Sequence, residues 1–181
     1  MTAREQMMTR IRAALGREPG DRVAAPPPVR LSESPRADLV AQFREALEAL
    51  GGSVVEGDES VVERMTAGKK VVRSTEPFSR EACAQAEIGV TRPDYALADT
   101  GTLIFITGSR LISLLPPRHI AVIERAKILA SLDQLLGVVP QPAEQSSAMT
   151  LVTGPSRTAD IEMRLVRGVH GPGEITVIVV A

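Results

Sequence analysis

The chain has 181 residues, about the length of one domain, and its formal net charge of −1 gives no electrostatic basis for binding DNA or RNA. Aromatic residues make up only 2% of the chain, which leaves few surfaces on which nucleobases or sugars can stack. The single cysteine, Cys83, excludes an internal disulfide and also a self-contained iron–sulfur cluster, which takes about four thiolates.

Residues 1–35 are predicted to form an amphipathic helix followed by a linker. Met7, Ile11 and Leu15 recur at helical spacing over Ala3–Leu15, and Gly16 has the character of a C-cap. The Pro- and Gly-rich segment that follows is typical of an extended linker. This region lacks the apolar core of a secretory signal, and no run reaches the ~20 apolar residues of a membrane span, so we expect a cytoplasmic protein. The helix is expected to dock on a partner chain, on a second copy or on its own domain; the alternative is a partly disordered tail.

Residues 36–181 are predicted to form one domain in which helices and strands alternate. The predicted helices are 38–50, 60–67, 80–86, 126–136 and 158–167, and the predicted strands are 53–56, 70–74, 88–91, 102–107, 120–123, 151–153 and 175–180. Apolar runs without alternation, such as TLIFIT and ITVIVV, are typical of strands buried on both faces of a parallel sheet. The order predicts a three-layer α/β sandwich with a mostly parallel sheet, whose ligands bind beyond the carboxyl ends of the strands.

The first candidate for chemistry is the segment DTGT. Asp99, Thr100, Gly101 and Thr102 place a carboxylate, two hydroxyls and a glycine in direct succession. Asp99 is suited to positioning a hydroxyl or accepting a proton, and Gly101 permits positive φ or close approach to a ligand. The same residues also suit an Asx-type turn, so a structural and a functional interpretation both stay open.

The second candidate is the segment TGPSRTADIE, which follows a predicted strand. Gly154 marks a turn, and Ser156 or Thr158 is expected to cap the helix predicted to begin there. Free N–H groups at that helix end, with Arg157 beside them, would bind a carboxylate or phosphate. Asp160 lies in or near the predicted first turn, where it already complements the helix dipole, so ordinary capping is the alternative.

The third candidate is the loop GVHGPG. His170 is the histidine better placed for acid–base work because it lies in a loop beside Gly171, although a loop histidine that merely bonds a backbone carbonyl is the alternative. Arg118 and His119 head a predicted parallel strand and are interpreted as structural, and two histidines are too few to predict a metal site. Cys83 is predicted to be a small buried hydrophobic residue.

Three longer segments of the sequence resemble one family. DYALADTGTLIF, LLPPRHIAVI and TGPSRTADIEMRLVRGVHGPGEITVIVV are similar to the LUD-domain family, in particular its lactate-utilization protein C (YkgG-like) branch. The resemblance implies a fold like that of ribose-5-phosphate isomerases, coenzyme A transferases and 5-formyltetrahydrofolate cyclo-ligases. It also implies a role beside two iron–sulfur proteins, lactate-utilization A and B, in oxidising L-lactate to pyruvate. The matching positions assigned to substrate binding are Thr100, Gly101, Thr102, Gly154, Ser156, Arg157, Thr158, Asp160 and Gly171, and Asp99 and His170 are the candidate catalytic residues.

Three functions from different classes follow as hypotheses. In the leading one, the chain is a non-redox subunit or accessory protein of a lactate-oxidising iron–sulfur complex, with no cofactor of its own and the clusters in its partners. Arg157 and the predicted helix end then hold a small carboxylate, while Asp99 or His170 handles a proton, which requires the DTGT and GPSRT segments to meet in one cleft. The second is a stand-alone enzyme acting on a phosphorylated or coenzyme A-linked metabolite, and the third a metabolite-sensing module that assembles through its N-terminal helix.

Overall fold

Helices and strands alternate along the chain in a computed structural model, which describes residues 2–16, 38–106, 108, 110–159 and 165–181. The helices are Ala3–Leu15 (α1), Leu39–Ala49 (α2), Glu59–Thr66 (α3), Arg80–Gln85 (α4), Leu111–Leu114 (α5), Leu132–Val138 (α6) and Pro142–Gln145 (α7), with a 3-10 turn at Arg125–Lys127. The strands are Ser53–Glu56 (β1), Val71–Arg73 (β2), Ile88–Thr91 (β3), Tyr95–Leu97 (β4), Thr102–Phe105 (β5), Arg118–Glu124 (β6), Ile128–Leu129 (β7), Thr150–Thr153 (β8), Arg157–Ala159 (β9), Leu165–Arg167 (β10) and Glu174–Val180 (β11).

Five strands form a wholly parallel sheet in the order β1-β11-β6-β3-β2. Helix α3 covers one face, where Val62 packs with Ile88, Ile120 and Ile178. Helices α2, α4 and α5 lie against the other face, which we call the inner face. The three-layer α/β arrangement and the mostly parallel sheet predicted from the sequence are therefore confirmed.

Helix α2 is anchored at its start and along one side. The Asp38 carboxylate accepts hydrogen bonds from the backbone N–H groups of Val40 and Ala41, at 3.0 and 3.1 Å, and so satisfies donors that have no partner within the helix. Val40, Phe43 and Leu47 recur on one stripe and are buried against the inner face. Two of the candidate segments pack against the C-terminal end of this helix.

A second sheet of four strands, in the order β7-β4-β5-β8, packs beyond α2. Strand β5 contains the run TLIF, for which parallel pairing was predicted, but it pairs antiparallel with both β4 and β8. Its burial on both faces is nevertheless as expected, since Leu103 joins the core around α2 while Ile104 packs with Leu135 of α6. The prediction of parallel pairing was wrong for this strand because helices can cover both faces of an antiparallel sheet as well.

The helix predicted at 126–136 is wrong over its first half. Ile128 and Leu129 form β7, are buried, and pair in parallel with Ala96 and Leu97 of β4. The helix begins only at Leu132, after Ser131, whose hydroxyl accepts from Gln134 N at 3.5 Å. Pairing with a distant strand outweighs the local helical spacing here.

The helix predicted at 158–167 is also wrong at the positions that the structure describes. Strands β9 and β10 pair antiparallel, with Arg157 opposite Arg167 and Thr158 opposite Val166. Thr158 and Val166 are β-branched residues, which favour strands over helices. Residues 160–164, between the two strands, lie outside the described part of the chain.

Helix α1 has the predicted bounds and the predicted C-cap, Gly16, at φ +62°. Thr2 and Glu5 form a capping box at its start, since each side chain bonds the other's backbone N–H. Met7, Ile11 and Leu15 are exposed, and no residue of α1 is buried. The predicted linker falls mainly on residues 17–37, which are not described. Within the described ranges, every helix is too short or too polar to cross a bilayer.

Candidate functional site

The DTGT segment forms the tight turn that joins β4 to β5. Asp99 N donates to the backbone oxygen of Ala130 at 3.1 Å, and Gly101 adopts φ +64°. Asp99 and Thr100 are exposed, while Gly101 and Thr102 are buried. The turn interpretation is therefore confirmed, and it leaves one carboxylate and one hydroxyl facing solvent.

Gly101 and Gly154 both lie where no side chain fits. A Cβ on Gly101 would come within 2.6 Å of Leu47 N, and one on Gly154 within 2.9 Å of the Leu50 Cβ. Gly154 also has a positive φ of +74°. Both glycines thus let a turn approach the C-terminal end of α2, so their role here is close packing rather than approach to a ligand.

Strand pairing joins the DTGT segment to the TGPSR segment. Thr102 lies opposite Thr153 in the β5–β8 ladder, and their hydroxyl oxygens are 2.8 Å apart. The hydroxyl oxygen of Thr100 is in turn 2.8 Å from that of Thr102, and Thr100 donates to the Asp99 carboxylate at 3.1 Å. The DTGT segment is thus in contact with Thr153, directly before GPSRT, through strand pairing. This contact does not by itself form the cleft that the leading hypothesis requires, so the cleft stays a prediction.

The hydrogen atoms of this hydroxyl chain have a fixed direction. Each threonine hydroxyl has one hydrogen to donate, and a carboxylate only accepts. Since Thr100 donates to Asp99, Thr102 must donate to Thr100 and Thr153 to Thr102. The exposed hydroxyl of Thr153 is then left as an acceptor, and it suits a ligand group that donates, such as an alcohol.

The TGPSR segment also contacts the GVHGPG loop. Ser156 N donates to the backbone oxygen of Pro172 at 2.9 Å, and Gly168 N donates to that of Ser156 at 3.1 Å. A Cβ on Gly171 would lie 3.3 Å from the Ser156 Cβ. All three sequence candidates therefore form one connected surface, with the TGPSR segment in the middle.

The proposed anion site at a helix end is contradicted by β9. Arg157 and Thr158 lie in a strand, so the first-turn N–H groups of a helix are not present at these residues, and Ser156 N is already bonded to Pro172. Arg157 is exposed and makes no ion pair with the described residues. Asp160 lies outside the described residues.

The two candidate catalytic residues are both exposed but are not joined directly. Asp99 lies in the second sheet, and His170 lies in the loop before β11, at the amino-terminal edge of the parallel sheet. No hydrogen bond among the described residues connects their side chains. Sequence reasoning placed ligands at the carboxyl edge of a parallel sheet, and neither residue is found there.

A cleft of about 460 Å³ borders the same loop at the amino-terminal edge. Gly168 and Gly173 line it, together with two ion pairs: Lys69–Glu87 at 3.3 Å and Arg118–Glu174 at 2.7 Å. The four charges cancel. This cleft therefore offers no excess charge for holding an anion.

His119 lies buried on the inner face, only 1% exposed. Its Nε2 is 2.7 Å from the hydroxyl oxygen of Thr91, its Nδ1 is buried and bonds none of the described residues, and its ring centroid is 6.2 Å from that of Phe105. Burial lowers its pKa to about 4, because the charged form would lose its hydration. The structural role predicted for this histidine is supported, as is that of Cys83, which is buried and whose pKa is raised by burial.

Sequence reasoning missed two arginines at the carboxyl edge of the parallel sheet. Arg73 ends β2 and Arg92 directly follows β3, and both line a small cavity. For Arg92 the signal was present in the sequence, since a charged residue directly after the strand predicted at 88–91 lies at the edge where ligands bind. Arg73 lies inside the strand predicted at 70–74, so its position at this edge was not indicated. Among the described residues, no group of three or more His, Cys, Asp or Glu side chains is placed to hold a metal ion.

Comparisons with known proteins agree with the resemblance of the motifs. A relative from Geobacillus sp. (strain WCH70), named lactate utilization protein C, is 40% identical over 103 residues, which cover 53% of this chain and 43% of the relative. Proteins of the same name from Halalkalibacterium halodurans and Bacillus subtilis (strain 168) are 37% and 36% identical over 122 and 104 residues. These alignments cover 64% and 54% of this chain, and 50% and 43% of the relatives. The chain thus spans about half the length of the curated relatives that it matches.

A solved structure supports the fold. The crystal structure of a DUF162 family protein from Deinococcus radiodurans matches with a TM-score of 0.62 at 22% identity, over 84% of this chain and 100% of that one. The sequence model of the LUD domain family matches residues 54–180, which is well over half of the chain. The chain therefore belongs to the LUD domain family.

Proposed function

We propose that this chain is a non-redox subunit or accessory protein in L-lactate utilisation, and that it binds a small 2-hydroxy carboxylate on the surface formed by its three motif segments. The proposal draws on the name shared by its relatives. The observation that carries it is the chain of contacts from Asp99 through Thr100, Thr102 and Thr153, continued by the backbone bonds of Ser156 to the GVHGPG loop.

The chemistry of this surface suits a 2-hydroxy acid. The guanidinium of Arg157, which is exposed and makes no ion pair with the described residues, presents up to five N–H donors to a carboxylate. Thr153, on the same segment, has an acceptor hydroxyl oxygen that matches the hydrogen of the ligand's alcohol group. The directed hydroxyl chain then connects that alcohol with the Asp99 carboxylate, which makes Asp99 the proposed proton acceptor, with His170 as the other candidate.

Oxidation of L-lactate to pyruvate releases two electrons and two protons. This sequence has one cysteine, Cys83, which is buried, and an iron–sulfur cluster takes about four thiolates. In the proposal the two electrons therefore pass to the clusters of partner proteins of the lactate-utilization A and B type. The proton of the alcohol passes along the hydroxyl chain to Asp99, and the proton of the C2–H bond is released to water. The role of this chain is to bind and orient the carboxylate and to accept a proton.

Genetic complementation tests the proposal in the native host. A strain that lacks this gene is expected to lose growth on L-lactate, and the wild-type gene is expected to restore it. Arg157→Ala is expected to fail in the rescue, whereas Arg80→Ala, which removes another exposed arginine, on α4, is expected to rescue fully. Full rescue by Arg157→Ala would remove this residue from the mechanism, and growth of the deletion strain on L-lactate would contradict the proposed role.

A further inference from the structure

A small cavity lies at the carboxyl edge of the parallel sheet, apart from the three motif segments. Its lining combines two arginines, Arg73 and Arg92, with three hydroxyl residues, Ser74, Thr75 and Thr91. Glu59, the first residue of α3, completes the polar part of the lining, and Val90 and Val122 form its floor. Parallel α/β sheets bind their ligands at this edge.

The two arginines are held in place but keep free donors. Arg92 forms an ion pair with Glu59 through Nη2. Arg73 donates from Nη2 to the Thr66 hydroxyl at 3.4 Å, and its Nε lies 4.0 Å from Glu76. Each guanidinium has five N–H donors, so both keep donors that the described residues do not use. Fixed guanidinium groups with spare donors are suited to binding oxyanions.

The ligand class follows from charge and size. The lining has two arginines and one glutamate, a net charge of +1, and Glu76, which lies 4.0 Å from Arg73, is outside the lining. The cavity volume is about 70 Å³, and a water molecule occupies roughly 30 Å³ in the liquid, so the space suits one small polar group. We propose that Arg73 and Arg92, with Ser74 and Thr75 beside them, bind a single oxyanion, the phosphate or carboxylate group of a small metabolite.

The side chain of Thr91 lies on the other face of the sheet from this cavity. Thr91 pairs with Ala121 of the inner-face core, and its hydroxyl oxygen is 2.7 Å from His119 Nε2. Val90 and Val122, which line the cavity, pack instead in the core beneath α3. The hydroxyl of Thr91 is therefore used by the buried His119 and is not a ligand of the oxyanion.

Calorimetric titration of the full chain tests the site with three probes: inorganic phosphate, L-lactate and pyruvate, all at matched ionic strength. At least one probe is expected to bind saturably with one site per chain. Arg73→Gln and Arg92→Gln are each expected to weaken that binding by about tenfold or more, whereas Arg80→Gln, which removes the same charge elsewhere, leaves it unchanged. Because the ion pairs of both arginines are at the surface, these variants are expected to stay folded, which thermal unfolding checks.

The outcomes separate this site from the proposed lactate surface. Phosphate binding that is lost in Arg92→Gln and kept in Arg157→Ala identifies a phosphate site and leaves the proposed function intact. L-lactate or pyruvate binding with the same pattern identifies a carboxylate site here and moves lactate binding away from Arg157. Absence of saturable binding for all three probes, or equal losses in Arg92→Gln and Arg80→Gln, would overturn the inference.

Discussion

The ring of His119 is buried among neighbours that provide neither hydration nor a nearby charge. It pairs in the sheet with Gly89 and Ile175, contacts the Phe105 ring, and has Thr91 as its hydrogen-bond partner. A histidine in such surroundings is neutral when folded but takes up a proton readily once the chain unfolds. The lowered pKa therefore makes the stability of the protein depend on pH.

The sign of this dependence follows from the two pKa values. Because the folded pKa of about 4 is below the ordinary 6.5, the unfolded state binds the proton first, and stability is lost as pH falls from 6.5 towards 4. Between pH 7 and pH 5 the loss from this residue is about 2 kcal/mol. The carboxylates of Glu56, Asp58 and Glu87, whose pKa values are lowered by hydrogen bonds, lose their contributions only at lower pH.

Urea unfolding at pH 7 and pH 5 measures this effect. Between pH 7 and pH 5 the free energy of unfolding of the wild-type chain is expected to fall by about 2 kcal/mol. That of His119→Gln is expected to fall much less, because glutamine cannot take up a proton. An equal loss in both proteins would place the dependence on other groups.

At the scale of single residues, the sequence indicated which residue types form the candidate site better than it indicated where these residues lie relative to one another. The DTGT and TGPSR segments stood out because small, hydroxyl and charged residues cluster there, and Thr102 and Thr153 do meet. The hydroxyl chain itself was not predictable, because it depends on the register between β5 and β8. Arg73 and Arg92 were missed because each is a single charge with no motif around it.

At the scale of elements, the C-terminal end of α2 packs onto two glycine turns. Gly101→Ala is expected to destabilise the chain by about 2 kcal/mol or more, because it adds both a positive-φ penalty and a clash with the Leu47 backbone. Gly68→Ala is the matched control, since Gly68 has a similar φ of +69° but no heavy atom within 4 Å of an added Cβ. Equal losses of unfolding free energy in the two variants would show that α2 does not need this close approach.

Element types were predictable wherever local pattern and tertiary contacts agree. The spacing of Leu39, Phe43, Leu47 and Leu50 predicted α2, and the apolar run at the C-terminus predicted β11. The failures at 126–136 and 158–167 have different causes. Strand β7 pairs with the distant strand β4, and no local window contains that pairing. Strand β9 pairs with β10 inside the window predicted as a helix, where its β-branched residues favour a strand.

For the whole molecule, the alternation of helices and strands was enough to predict the α/β class and the parallel sheet. The second sheet was not predicted as a separate unit, because β4 and β7 have only three and two residues. That sheet nevertheless positions Asp99, Thr100 and Thr102 beside Thr153, so the candidate site depends on the part of the fold that was hardest to foresee.

Titration of the isotope-labelled full chain with L-lactate, followed by the amide NMR signals, tests the central claim most directly. We predict that the signals of residues 99–102, 153–158 and 168–173 move together with one dissociation constant, and that Arg157→Ala abolishes these shifts. Shifts confined to the residues around Arg73 and Arg92, or no saturable shift in any of the three segments, would contradict the claim that these segments form one carboxylate-binding surface.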